Sequence, residues 1–253
     1  MNAMSVRIAI GWLLLWMSMA LSHAESLIIF GDSAYAPVIH DSGGKPSGIL
    51  QAILQRAAAL TGDQYELRLS PWKRAYELAS RGDGGVVGVS LTQERAKLFD
   101  FSRPIYDDDI QIVTLKERTF PYSRLDDLKG KIVGGVNGAS YGDEVDKAIA
   151  NGLFVVERDV GQAGRLRKLL ANRLDAAFIG NGLAGFDAVI NSHPELQTNR
   201  DRFIILPNPL TRDPLHLAFV KSLNKREALE RFDAALDKMR KSGELRKLTV
   251  PEK

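Results

Sequence analysis

Cysteine is absent from the 253-residue chain. No disulfide can form, and there is no thiol to carry a lipid anchor. The four histidines are scattered, so a zinc site has almost nothing to be built from. No metal and no cofactor are expected. Charge of one sign is also missing: 34 Lys+Arg against 31 Asp+Glu leaves a net charge of only +3. The basic residues are interleaved with acids, as in "NKREALERFDAALDKMRK". That pattern reads as a solvated helix face, so nucleic acid is not an expected partner. No Pro/Gly-rich linker, low-complexity tract or short-period repeat interrupts the chain.

One long apolar run is present, at the N-terminus. "MNAMSVRIAIGWLLLWMSMALSHAES" carries Arg7, an uncharged stretch from Ile8 to Leu21, and the small-x-small sequence Ser22-His23-Ala24. This predicts a secretory signal peptide over residues 1–24, cut after Ala24. The run is shorter than the roughly 20 residues of a spanning helix. The exported chain is then expected to be soluble, periplasmic, not lipid-anchored, and held only by its own core.

Strands and helices alternate along the rest. "SLIIFGD", "YELRL", "GGVVGVS" and "IQIVTL" (Ile110–Leu115) read as strands. Between them, "SGILQAILQRAAALTG" puts Ile49, Ile53, Ala57 and Leu60 on one stripe and stops at Gly62, and "WKRAYELASRG" is a helix ending at Gly82. A second series follows, with strands "KIVGGV", "LFVVER", "AAFIG" and "FIILP". Its helices include "GQAGRLRKLLANRLD", with Leu166, Leu169, Leu170 and Leu174 as the apolar stripe. A last strand, "PLHLAFV", leads to a helix with Leu229, Phe232, Leu236 and Met239 on one side and Asn224 and Glu227 as its expected cap. This is an α/β pattern written twice. Two such units without a flexible linker predict two lobes facing a cleft. Ligands of open α/β sheets bind beyond the carboxyl ends of the strands, so function is sought in the strand-to-helix turns.

The first turn, "GDSAYAPV", places Asp32 and Tyr35 at the cleft mouth, where they serve equally well as ligand contacts or as a turn former and a ring packed on Pro37. The second, "PWKRA", offers Trp72 as a ligand wall or a core residue, and Arg74 beside Lys73 as a ligand contact or a solvated cation. The third, "SLTQER", offers the hydroxyls of Ser90 and Thr92, with Thr92 as N-cap. Arg95 follows in the first helical turn, where the dipole disfavours a cation. A guanidinium there either pairs with Glu94 or Asp100 or grips a carboxylate together with the free N–H groups. The fourth, "NGASYGDE", has Gly138 for a tight turn and Ser140 before a helix. The fifth, "GNGLAG", has Gly180, Asn181 and Gly182, with Asn181 as a polar candidate and no carboxylate.

These residues carry a resemblance. "GDSAYAPVIHDSGGKPSGILQAILQRAAAL", "GVSLTQERAKLFDFSRPIY", "LKGKIVGGVNGASYGDE" and "LDKMRKSGELRKLTV" together resemble the periplasmic solute-binding proteins of ABC importers, amino-acid-type family 3. The resemblance implies a type II bilobal α/β fold with two crossover strands, here near Asp108–Ile110 and Pro214–His216. Lobe 1 would combine residues 25–108 with 216–253, and lobe 2 would be 109–215. It implies Arg95 as the anchor of a ligand carboxylate, with Ser90, Thr92 and Ser140 as hydrogen-bond donors. Tyr35 and Trp72 would be apolar walls, and Asp32 the nearby acid. The implied function is capture of a small carboxylate-bearing solute, an amino acid or related polar metabolite, by hinge closure and delivery to an ABC permease in the inner membrane, by a monomer that is not an enzyme. Two alternatives stand beside it: a dehydratase of cyclic acids using Asp32, and a ligand-sensing partner of a membrane receptor. One departure stands out. The family usually ends the "LDAA" strand with an aspartate for the ligand's α-ammonium, and this chain has Gly180 and then Asn181. An amide cannot replace that charge-assisted contact, so a carboxylate-bearing ligand is favoured over an α-amino acid.

Overall fold

The computed structural model describes residues 25–249; the signal-peptide expectation lies outside them. The first series runs β1 (Ser26–Asp32), β2 (Ala34–Tyr35), β3 (Ile39–Asp41), β4 (Pro46–Ser47), α1 (Ile49–Thr61), β5 (Gln64–Ser70), α2 (Trp72–Ser80), β6 (Gly85–Ser90), α3 (Gln93–Leu98) and β7 (Phe99–Phe101). The chain then crosses over on β8 (Tyr106–Leu115). The second series runs β9 (Ile132–Val136), α4 (Asp143–Ala150), β10 (Val155–Asp159), α5 (Gln162–Leu170), β11 (Ala176–Ile179), α6 (Gly182–Asn191), α7 (Pro194–Thr198) and β12 (Phe203–Ile205). It returns on β13 (Thr211–Val220) and ends with α8 (Arg226–Lys241) and α9 (Glu244–Thr249).

The main sheet has the order β10-β9-β11-β8-β13-β6-β1-β5. β1 pairs parallel with β5 and β6, and β9 pairs parallel with β10 and β11, as crossover helices require. β8 and β13 run antiparallel to each other from Tyr106↔Leu215 to Ile110↔Thr211. β13 then continues against β6 and β7, and β8 against β11 and β12. The two crossing strands thus belong to both halves, which is the two-lobed α/β architecture with a cleft between the lobes.

Both faces of each half are covered. In lobe 1, α1 and α8 bury Leu50, Ile53, Leu229, Phe232, Leu236 and Met239 against one face, and α2 covers the other with Trp72, Ala75 and Ala79. In lobe 2, Val145 and Phe154 pack on one side with Phe178, and Leu166, Leu169, Phe186 and Ile190 on the other. Buried-face helices explain why β1, β6 and β11 are near-continuous apolar runs. β5 lies at the sheet edge and alternates instead, with Tyr65, Leu67 and Leu69 half-buried between exposed neighbours.

Two of the local signals for helix ends are realised in α1 and α3. Gly62 closes α1 in the left-handed conformation, and Thr92 caps α3 by accepting the Arg95 N–H at 3.2 Å. The cap expected for α8 is not formed. Asn224 takes a left-handed turn (φ 51°), Lys225 occupies the N-cap position, and no side chain accepts from the first turn. The crossing strands also start earlier than their apolar runs, at Tyr106 and Thr211. Acidic residues are poor strand formers, so "YDDD" and "TRD" become strand only because they pair with each other. No helix among the described residues is long and apolar enough to cross a membrane.

Candidate functional site

The carboxyl ends of β1, β6, β9, β10 and β11 converge on one cavity between the lobes, about 70 Å³ in volume. Lobe 1 contributes Asp32, Tyr35, Trp72 and Ser90, and lobe 2 contributes Ser140, Tyr141, Gln162, Arg165 and Gly180. The crossing strands add Asp108, Ile110, Asp213 and Leu215. The lobes touch around it. Trp72 Nε1 donates to the Gly138 carbonyl at 3.1 Å. The Gln93 N–H, in the first turn of α3, donates to the Asp143 carboxylate of α4.

Five of the nine side chains named from the sequence line this cavity: Asp32, Tyr35, Trp72, Ser90 and Ser140. The other four do not. Thr92 is occupied as the cap of α3. Arg74 is exposed, on a groove at the cleft rim. Asn181 is buried behind Gly180, where its Oδ1 accepts from the Tyr106 hydroxyl. Arg95 is buried but points its guanidinium at backbone: one nitrogen donates to Ser90 O at 3.1 Å, the other to Gly138 O at 3.5 Å. Its guanidinium carbon lies 4.8 Å from the Tyr76 ring centroid. Neither Glu94 nor Asp100 is its partner; they pair with Lys97 and Arg226. Arg95 therefore joins the turn after β6 to the turn after β9, across the lobe boundary. Ser140 Oγ donates to the Asp146 carboxylate and accepts from the Gly142 N–H.

Gly180 is explained by its neighbour. A Cβ there would lie 1.9 Å from the Tyr35 hydroxyl oxygen and 2.6 Å from the ring carbon bearing it. The Tyr35 ring occupies the space that a carboxylate side chain on this strand end would need. The hydroxyl in turn donates to Asp108, whose other oxygen accepts the Asn181 N–H at 2.5 Å. Burial and the Asp108 charge raise the Tyr35 pKa, so it is a neutral donor.

Among the cavity residues that escaped the sequence reading, four carry a charge or an amide: Asp108, Asp213, Gln162 and Arg165. The two aspartates lie on the polar starts of strands. Arg165 could have been found, because it shares the buried stripe of α5 with Gln162 and Leu169. Its side chain is 1% exposed and fork-bonded to Asp159, 2.7 Å from one nitrogen. A third nitrogen donates to Phe178 O. Gly134 on β9 leaves it room, since a Cβ there would fall 2.3 Å from Arg165 Cγ.

The electrostatics of the cavity are acidic. Burial lifts the Asp32 carboxyl to about 6, against the Ala34 N–H, the Arg165 charge and the Ser33 N–H. Burial lifts Asp108 to about 6, against the Tyr35 hydroxyl and Asn181 N–H bonds. Asp213 is lifted to about 7 by burial and by the neighbouring Asp108 charge, with the Ser90 hydroxyl and Arg95 opposing. Among the described residues none of the three has a lysine or arginine within ion-pair distance, while Arg165 is already paired. The absence of a family aspartate at Gly180 thus does not leave the cleft without carboxylates for an amine. No group of three or more metal-ligating side chains occurs among the described residues.

Residues 27–250 match the family model of bacterial extracellular solute-binding proteins, family 3. The chain belongs to this family. Among its relatives, the L-cystine-binding protein TcyJ of Escherichia coli is 27% identical over 88% of this chain and 81% of its own. The probable amino-acid-binding protein YxeM of Bacillus subtilis is 26% identical over 64% of this chain, which spans 58% of YxeM. An ancestral arginine-binding protein bound to arginine superposes with a TM-score of 0.72 at 25% identity, covering 88% of this chain and 96% of that one. This family 3 protein thus has the type II bilobal fold and relatives that bind amino acids.

Proposed function

We propose that this family 3 protein captures a small solute bearing both a carboxylate and an amine, an amino acid or a close relative, between its lobes. The closed form then delivers the solute to an ABC permease of the inner membrane. Binding is its whole task, and it works as a periplasmic monomer once residues 1–24 are removed. The observation that carries this reading is the cleft: buried donors and acceptors of both lobes converge on one cavity at the strand ends, where open α/β folds take ligands. Residues 25–108 with 216–253 move as one lobe and 109–215 as the other, with Tyr106–Ile110 and Thr211–Leu215 as the hinge.

Arg95 is the proposed carboxylate anchor. Its contact with Gly138 O is long, 3.5 Å, and a ligand carboxylate reaching that turn offers a stronger, charge-assisted acceptor. Ser90 and Ser140 flank it, and their hydroxyls, which donate to Asp213 and Asp146 in this form, turn to the ligand carboxylate when it binds, while Thr92 holds the backbone turn that presents it. The ligand stabilises closure by its higher affinity for the closed form. Thermal-shift screening of the purified protein against amino acids, amines and carboxylates tests the reading, because a bound ligand raises Tm by mass action. An amine-bearing carboxylate is expected to give the largest rise. Lack of response to every class would overturn the reading.

A further inference from the structure

Asp108 and Asp213 face each other directly in the antiparallel register of the crossing strands. Both are buried, 2% and 8% exposed, and both line the cavity. Side chains so placed sit about 5 Å apart, and like charges there repel. Among the described residues no lysine or arginine lies within ion-pair distance of either carboxylate, and the Arg95 charge reaches Asp213 only from farther away. Asp108 receives only the Tyr35 hydroxyl and the Asn181 N–H, and Asp213 only the Ser90 hydroxyl. A second, independent feature points to a ligand at the same cavity. Gln162 is 4% exposed, its Oε1 accepts the Gly180 N–H at 3.0 Å, and its Nε2 has no partner among the described residues. That leaves a buried amide donor on the cavity wall with nothing to donate to, which a buried group does not ordinarily tolerate.

We infer, resting on the binding role proposed above, that the Asp108–Asp213 pair on the crossing strands is the subsite for the ligand's ammonium or guanidinium group, and that Gln162 Nε2 donates to an oxygen of the same ligand. The amine site has moved from the strand end at Gly180, which Tyr35 blocks, to the hinge. A cation between the two carboxylates turns their repulsion into two attractions and ties both crossing strands to one ligand group. With Asp32 as a third carboxylate and Arg165 already paired, the cleft favours a solute of net positive charge over a zwitterion, and rejects a plain dicarboxylate.

The test uses purified protein at pH 8, with calorimetric and thermal-shift titration of L-arginine, L-lysine, L-glutamine, agmatine and succinate. Arginine and lysine should bind at least tenfold more tightly than glutamine, and succinate not at all. Comparing arginine with lysine separates guanidinium from ammonium recognition, and agmatine shows how far the cationic end binds without a carboxylate. Asp213→Asn keeps an acceptor for Ser90 and removes one charge. It should raise the Tm of the ligand-free protein at pH 8 while weakening arginine or lysine binding tenfold or more. The rise in Tm shows that the variant folds. Gln162→Glu, which keeps the acceptor for Gly180, should weaken the same amino acids more than agmatine. If wild type binds glutamine or succinate at least as well as arginine and lysine, or if Asp213→Asn binds them unchanged, the subsite assignment is overturned while the binding role stands. If no amine or carboxylate of any class binds, the binding role falls and the subsite with it.

Discussion

Tyr35 and Gly180 are one feature divided between two lobes. The ring fills the strand end, so the glycine is a steric requirement. Gly180→Ala should destabilise the protein by about 1–3 kcal/mol, in the range of overpacked cores, read as a lower denaturant midpoint. Adding Tyr35→Ala should cost less than the sum of the two single changes, because the clash has gone. Arg95 can be probed as directly. Arg95→Ala should weaken the binding of any carboxylate ligand at least tenfold in a calorimetric titration, and an unchanged Kd would remove Arg95 from the anchor role. Arg95 was visible in the sequence because a cation in a first helical turn calls for an explanation. Arg165 was harder to see, because "GRLRKLL" holds two arginines and a lysine, and the one on the apolar stripe reads as another exposed cation until Gly134 is seen to make room for it.

The elements that matter most are the two crossing strands and the pair of turns that meet over the cavity. Their apolar halves, "IQIVTL" and "LHLAFV", are plain strand sequences. Their polar halves are strand only through mutual pairing, and those halves carry Asp108 and Asp213. Between the turns, Trp72 bonds Gly138 across the lobe boundary. Trp72→Phe keeps most of the apolar packing of α2 and loses a hydrogen bond worth about 1 kcal/mol. The ligand-free variant should populate a more open form, seen as a larger radius of gyration in small-angle scattering. No increase would mean that this bond does not hold the lobes together.

For the whole molecule the consequence is an unusual pH dependence. Asp32 and Asp108 at about 6 and Asp213 at about 7 hold protons in the fold that the unfolded chain has released by then. Their contribution is fully present below about pH 4 and is lost as pH rises through 6 and 7. Asp213 is faced by Asp108 of β8, Arg95 of α3, Asp146 of α4 and the Ser90 hydroxyl of β6, so its ionisation is felt across both lobes. His216, held neutral by burial, works in the opposite direction on acidification. Three carboxyls outweigh one imidazole, and the ligand-free protein should lose about 5–10 °C of Tm between pH 5 and pH 8. A cationic ligand should shrink that loss. A Tm that is flat or rising over this range would contradict the buried, unpaired state of the three acids.

The sequence by itself determined the doubly written α/β pattern, the helix stripes, the strand-to-helix turns as the place of function, and the family. These follow from local propensity, apolar periodicity and short motifs, which are properties of neighbouring residues. Tertiary structure alone decided which side chains share the cavity. It joined Asp108 to Asp213 over a separation of 105 residues, set Tyr35 in the space at Gly180, and drew Arg165 and Gln162 into the wall. Such encounters depend on strand register and on how two lobes meet, and no stretch of chain short enough to read as a motif contains both partners.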